Sequence, residues 1–87
     1  MIFINGSKIG VVTHYYEKIM VAIIELSSNL KVGDKIKFVR GGEDNFDQNV
    51  ESIQIEHKNI DEAKSGDIIG IKVNNEVKEG SEVYKLS

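Results

Sequence analysis

Cysteine, proline and tryptophan are all missing from this chain of 87 residues. Without cysteine, neither disulfides nor thiolate metal sites can reinforce it. A chain this short buries only about 60–65% of the surface its unfolded form exposes, so its apolar residues, 40% of the total, must form one well-packed core. Positive charge is also scarce: 11 Lys and Arg stand against 14 Asp and Glu, a formal net charge of −3. That balance excludes a broad electrostatic nucleic-acid binder, which needs clustered Lys and Arg to displace counterions, but leaves room for a small local contact. No apolar run approaches the roughly 18 residues of a membrane span, and Met1–Ser7 lacks a basic leader pattern. Together these features place the expected protein in the cytoplasm, away from membranes, as one domain over residues 1–87.

Helical periodicity is nearly absent. Most of the chain reads as short segments rich in Val, Ile and Tyr, punctuated by Gly, Asn, Asp and Ser. In a first strand, Ile9, Val11, Thr13 and Tyr15 share one face and Val12, His14 and Tyr16 the other. A second strand, Ile19 to Leu26, is apolar on both faces: Ile19, Val21 and Ile23 on one, Met20, Ala22, Ile24 and Leu26 on the other. Such a strand is covered on both sides, or its outer face docks onto something. Leu30-Lys31-Val32-Gly33-Asp34 reads as a turn with Gly33 free to take positive φ. A strand over Lys35–Arg40, with Ile36 and Phe38 inward, leads into a polar hairpin loop at Gly41-Gly42-Glu43-Asp44-Asn45. The long segment Phe46 to Lys58 changes phase between Val50 and Ile53, which predicts a β-bulge near Glu51-Ser52. Asn59-x-x-Glu62 has the form of a capping box and predicts a single helical turn ended by Gly66. Ile68 to Val73 and Val83 to Leu86 complete about six strands, predicting an all-β, closed antiparallel barrel. Closure would also remove exposed sheet edges, which helps a small proline-free chain stay soluble.

Several stretches resemble a known family in their order. Ile9-Gly10-Val11-Val12-Thr13, the Leu30–Asp34 turn, Ile53–Lys58, Asp61-Glu62-Ala63, Ser65–Gly70 and Val77–Gly80 resemble domain two of translation GTPases such as elongation factor Tu. The resemblance spans about Lys8 to Leu86 and implies a small Greek-key β-barrel. Thr13-His14-Tyr15-Tyr16 and Gln54-Ile55-Glu56-His57-Lys58 resemble two subgroups more narrowly: small stand-alone elongation-factor-like proteins, and the C-terminal barrel of the collagenase-like peptidase family. No G-x-x-x-x-G-K-[ST] phosphate loop is present, so nucleotide hydrolysis is not expected.

In the elongation factor, domain two holds the aminoacylated end of tRNA. By that resemblance the acid stacked on the terminal adenine falls at Gln54, the arginine at the RNA end falls at His57, and its neighbouring lysine is kept as Lys58. A histidine holds a phosphate less firmly than an arginine near neutral pH. Tyr15 and Tyr16 would add aromatic faces beside these residues, an arrangement suited to single-stranded RNA. The plainer reading of Tyr15 and Tyr16 puts one ring in the core and one over the barrel mouth; for Gln54 and His57 it is a hydrogen-bonded strand end. No nucleophile stands near a histidine and an acid in a catalytic spacing, so no enzyme activity is expected. His14, His57 and Glu56 lack the paired spacing of metal motifs, and neither metal nor cofactor is expected. Arg40 reads either as an anion clamp beside Gly41-Gly42 or as a strand-end charge facing water. Two functions follow: an elongation-factor-like module contacting RNA such as a tRNA acceptor end, or a module docking in trans onto a larger enzyme, a collagenase-like peptidase or an RNA-modifying protein. The first is the main reading; the two-sided apolar second strand and the acidic net charge motivate the second as its alternative.

Overall fold

The computed structural model describes residues 6–86, so the leader reading of Met1–Ser7 falls outside these residues up to Asn5. Val, Ile and Tyr on alternate positions give ten strands and, among the described residues, no helix. In chain order they are β1 (Gly6–Tyr16), β2 (Val21–Leu26), β3 (Leu30–Lys31), β4 (Lys35–Arg40), β5 (Glu43–Asn49), β6 (Ile53–Ile55), β7 (Lys58–Ile60), β8 (Glu62–Ala63), β9 (Ile68–Lys72) and β10 (Glu82–Leu86). Eight form one sheet in the order β5-β4-β10-β1-β2-β9-β6-β7, and β3 pairs with β8 in a small second sheet.

The expected closed barrel of about six strands is corrected: the large sheet ends on β5 and on β7 and does not close. The higher strand count comes from two- and three-residue pieces too short to show a periodicity of their own. Across the gap, a side chain replaces the missing backbone ladder. Gln48 of β5 is only 6% exposed. Its Nε2 donates to the Lys72 carbonyl at 2.9 Å, and its Oε1 accepts the Asn74 N–H at 2.8 Å. The free edge of β5 carries Glu43, Asn45, Asp47 and Asn49, polar groups that discourage pairing with another chain.

The core lies under the concave side of the sheet, around Ile9, Ile24, Phe38, Ile53, Ile71 and Val83. Ala22, Ile24 and Leu26 face it from β2, as the alternation predicts. In β1 the expected faces are corrected by two irregularities: pairing with β10 skips Ile9, and pairing with β2 skips Thr13. Each extra residue flips the side-chain parity, so Ile9, then Val12, then Tyr15 face inward rather than one odd-numbered row. A third bulge leaves Asn45 of β5 unpaired opposite β4.

The phase change before Ile53 is no bulge. β5 stops at Asn49, and Val50 turns aside to exchange hydrogen bonds with the Leu30–Asp34 turn: its N–H donates to Asp34 O, and its carbonyl accepts from the Gly33 N–H, both at 2.8 Å. The expected helical turn at Asn59–Glu62 is also absent. Lys58–Ile60 pairs back onto β6, and the buried Ala63 pairs with Leu30 across the β3–β8 ladder, a long-range contact that outweighs the local capping pattern.

One turn design is used three times. In Lys31-Val32-Gly33-Asp34 and in Lys64-Ser65-Gly66-Asp67, the Asp N–H donates to the Lys carbonyl, at 3.1 and 3.0 Å. Each Asp Oδ2 accepts the Lys N–H at 2.9 Å. The glycines take φ of +98° and +93°, the conformation a type II turn demands. Lys78-Glu79-Gly80-Ser81 repeats the backbone, with the Ser81 N–H donating to Lys78 O at 3.1 Å and Gly80 at φ +88°. Its serine oxygen, however, is buried and has no partner.

Candidate functional site

β2 is the centre of the site because both its faces are apolar and only one is needed for the core. Ala22, Ile24 and Leu26 are buried, which leaves Val21 and Ile23 on the outside. On that side β9 contributes Ile68 and Gly70, paired with Glu25 and Ile23 respectively. β6 joins β9 at a single pair, Gln54↔Gly70, then turns away into the β6–β7 hairpin. The divergence leaves an open groove of about 830 Å³ floored by Val21, Ile23 and Gly70, with Tyr16 and Ile19 before β2, Ile68 of β9, and Gln54, Ile55, Glu56 and His57 of the hairpin around it. Ile19 and Ile68 are 59% and 60% exposed, large apolar side chains that the fold leaves uncovered. Gly70 keeps the middle open: a Cβ there would stand 3.3 Å from Val21 Cγ1 and 3.5 Å from Ile23 Cδ1. A smaller recess shares Ile19, Val21, Gln54 and Gly70 and runs on towards Lys72.

Three of the five residues singled out in the sequence meet here. Tyr16, Gln54 and His57 line the groove. Tyr15 does not: the bulge at Thr13 turns it inward, where it is half-buried against the core, so the plainer reading of the two tyrosines describes their places better. Lys58 begins β7 and is not among the lining residues. Gln54 Nε2 donates to Asn59 Oδ1 across the hairpin at 3.1 Å. Tyr16 is held by the His14 ring, edge to face at 4.4 Å between centroids, and His14 Nδ1 lies 3.0 Å from Glu79 Oε2. Glu56 and His57 form the tip of the hairpin with φ of +51° and +66°. A two-residue turn of this hand favours Asn-Gly, and a pair of larger side chains there stores on the order of 1–3 kcal/mol per residue.

The groove is acidic at its rim. Glu56 and Asp67 line it, and among the described residues no Lys or Arg does. Asp67 Oδ2 is engaged by the Lys64 N–H. Ile68, Gly70 and Asp67 were within reach of sequence reasoning through the Ser65–Gly70 motif, but only the register of β9 on β2 shows that they face the same way as Val21 and Ile23. Arg40 is exposed at the end of β4, beside Glu43, Glu76 and Lys78 in a shallow open recess whose charges are mixed. Among the described residues, no three His, Cys, Asp or Glu side chains are grouped to hold a metal ion.

An all-β domain with an open sheet, a single conspicuous apolar groove among the described residues and no metal-ligand cluster there is the class of molecule this geometry defines. Residues 7–81 match the model of the peptidase family U32 C-terminal domain, and the chain belongs to that family. It is 42% identical to an uncharacterized protease of Methanocaldococcus jannaschii over 94% of its own length, but spans about a fifth (21%) of that relative. Crystal structures of the C-terminal domain of a protein assigned to the U32 peptidases in Geobacillus thermoleovorans share the fold. One aligns with a TM-score of 0.86 at 21% identity over 100% of both chains. Its selenomethionine variant aligns with a TM-score of 0.84 at 23% identity over 91% of this chain and 99% of that one. The peptidase half of the resemblance seen in the sequence is therefore shown, and the elongation-factor identity is not supported.

Proposed function

We propose that this chain is a non-catalytic docking module that works beside a U32 peptidase-family polypeptide. The observation that carries the reading is the uncovered apolar groove along β2 and β9, on a domain whose relatives bear it as the C-terminal part of a much longer chain. Apolar surface of this kind on a small domain is costly to leave in water unless a partner covers it. Contact with a tRNA end is less favoured, because a phosphate-bearing ligand would meet Glu56 and Asp67 with no lining Lys or Arg to neutralise it.

The test mixes the purified chain with the full-length Methanocaldococcus relative and follows the mixture by size-exclusion chromatography with light scattering. A complex of defined stoichiometry is expected. Separate elution of both components at about 10 µM would sink the reading, since a dedicated docking pair should bind near or below that range.

A further inference from the structure

We propose that the groove between β2, β9 and the β6–β7 hairpin receives a polypeptide segment that sets aliphatic side chains against Ile19, Ile23 and Ile68 and a Lys or Arg against Glu56 and Asp67. The proposal rests on the docking reading above and adds the surface and the chemistry of the partner.

The apolar half of the recognition is the pair Ile19 and Ile68, both more than half exposed in the lining of the groove, which Gly70 keeps open. Burying such side chains gives a non-directional attraction that any apolar partner would satisfy. The charged half gives direction. Glu56 and Asp67 line the groove with no ion-pair partner among the described residues, and neither Lys18 nor Lys58 on the adjoining turns reaches the lining. Docking an apolar segment there excludes water around both carboxylates and makes an added cation more favourable than on an open surface.

The same charges disfavour the other occupants. A second copy of the chain docked groove to groove would set Glu56 and Asp67 against the same two carboxylates. It would also have to build the roughly 800 Å² per partner that a stable interface needs around a groove sized for a few side chains. A nucleic acid would oppose its phosphates to the same two residues.

The experiment titrates labelled chain with two short synthetic peptides, one alternating Lys with Leu and Ile, the other carrying Glu in place of each Lys. The Lys peptide is expected to shift the amides of Val21, Ile23, Gln54, Ile68 and Gly70 and to bind roughly three- to tenfold tighter than the Glu peptide, the scale of one or two partly exposed ion pairs. Ile68→Lys, at an exposed position that does not endanger folding, should abolish binding. Glu56→Lys should erase the preference for the basic peptide. Equal binding of the two peptides would overturn the proposal, as would diffuse shifts that vanish at about 150 mM salt. A second arm repeats the co-elution with the full-length relative using Ile68→Lys. If the unaltered chain forms the complex and this variant forms it equally well, the groove is not the docking surface although docking itself stands. If the unaltered chain forms no complex while the peptides discriminate at the groove, the partner falls and the chemistry of the groove stands.

Discussion

Gln48 accepts the Asn74 N–H at 2.8 Å from a position almost closed to solvent, and this amide, with Asn45 Nδ2 donating to Glu76 O at 3.3 Å, ties β5 to the chain leaving β9. The other end of the same amide donates to Lys72 O, so both of its hydrogen-bonding groups are used.

Replacing Gln48 by Leu should therefore cost about 1–3 kcal/mol, because it removes two hydrogen bonds, one to the Lys72 carbonyl and one from the Asn74 N–H. Urea unfolding measures it. Gln48→Glu separates shape from charge: its carboxylate would face the Lys72 carbonyl, so the variant should be least stable near neutral pH and recover as acid protonates it. A loss of less than about 0.5 kcal/mol for Gln48→Leu would mean that the sheet ends are held by the core alone.

Gly10 sits where β1 crosses β2 so closely that an added Cβ would lie 2.6 Å from Glu25 O and 2.8 Å from Ile24 Cγ2. The first of these is backbone and cannot swing aside. Gly10→Ala should lower stability by about 3 kcal/mol, at the upper end of overpacking costs, as read by thermal unfolding. Gly33→Ala at an open turn is the useful contrast, since nothing crowds its Cβ and only its φ of +98° opposes the change.

The three similar turns allow an internal comparison. Asp34→Ala removes a carboxylate that accepts the Lys31 N–H and should cost about 1 kcal/mol. Ser81→Ala removes a buried hydroxyl that has no partner, so it should be neutral or stabilising by up to about 1 kcal/mol. Chemical denaturation of the two variants side by side decides it; a marked loss for Ser81→Ala would reveal a partner for that hydroxyl.

Lys8 is exposed, and the hydrogen bond it donates to the Glu82 carboxylate, followed by that residue's charge, holds its ammonium above the ordinary 10.5. A raised value in the folded chain stabilises it below 10.5, and the contribution disappears as pH rises through the folded value. Glu82→Gln should flatten the stability profile on the alkaline side, and NMR titration of the Lys8 side chain should show its midpoint falling towards 10.5.

Much of the architecture was legible from local pattern. The inward row Ala22, Ile24 and Leu26, the surplus apolar row beside it, and the turn at Gly33 all follow from alternation and turn chemistry. Gln48 was not, although it shares the parity of Phe46 and Val50, because a polar residue at such a position shows its buried partner only in the fold. The bulges at Ile9 and Thr13 were not either, because an extra residue flips the parity without leaving a mark in composition. Nor was the openness of the sheet, which depends on how distant edges meet. Of the candidate site, Tyr16, Gln54 and His57 converge, whereas Tyr15 and Lys58 are separated from them by the bulge and by the hairpin turn, two features of backbone geometry rather than residue type.

The β6–β7 hairpin is tied to β9 at the one position Gln54↔Gly70 and carries a two-residue tip in left-handed conformation. Such a unit opens at a lower free energy than the whole molecule, as a local exchange event. Amide deuterium uptake at Ile55, Lys58 and Ile60 should accordingly run ahead of uptake at Ala22 and Ile24. One wall of the groove breathes while its floor stays shut, so a bound segment would register first as slowed deuterium uptake in the hairpin.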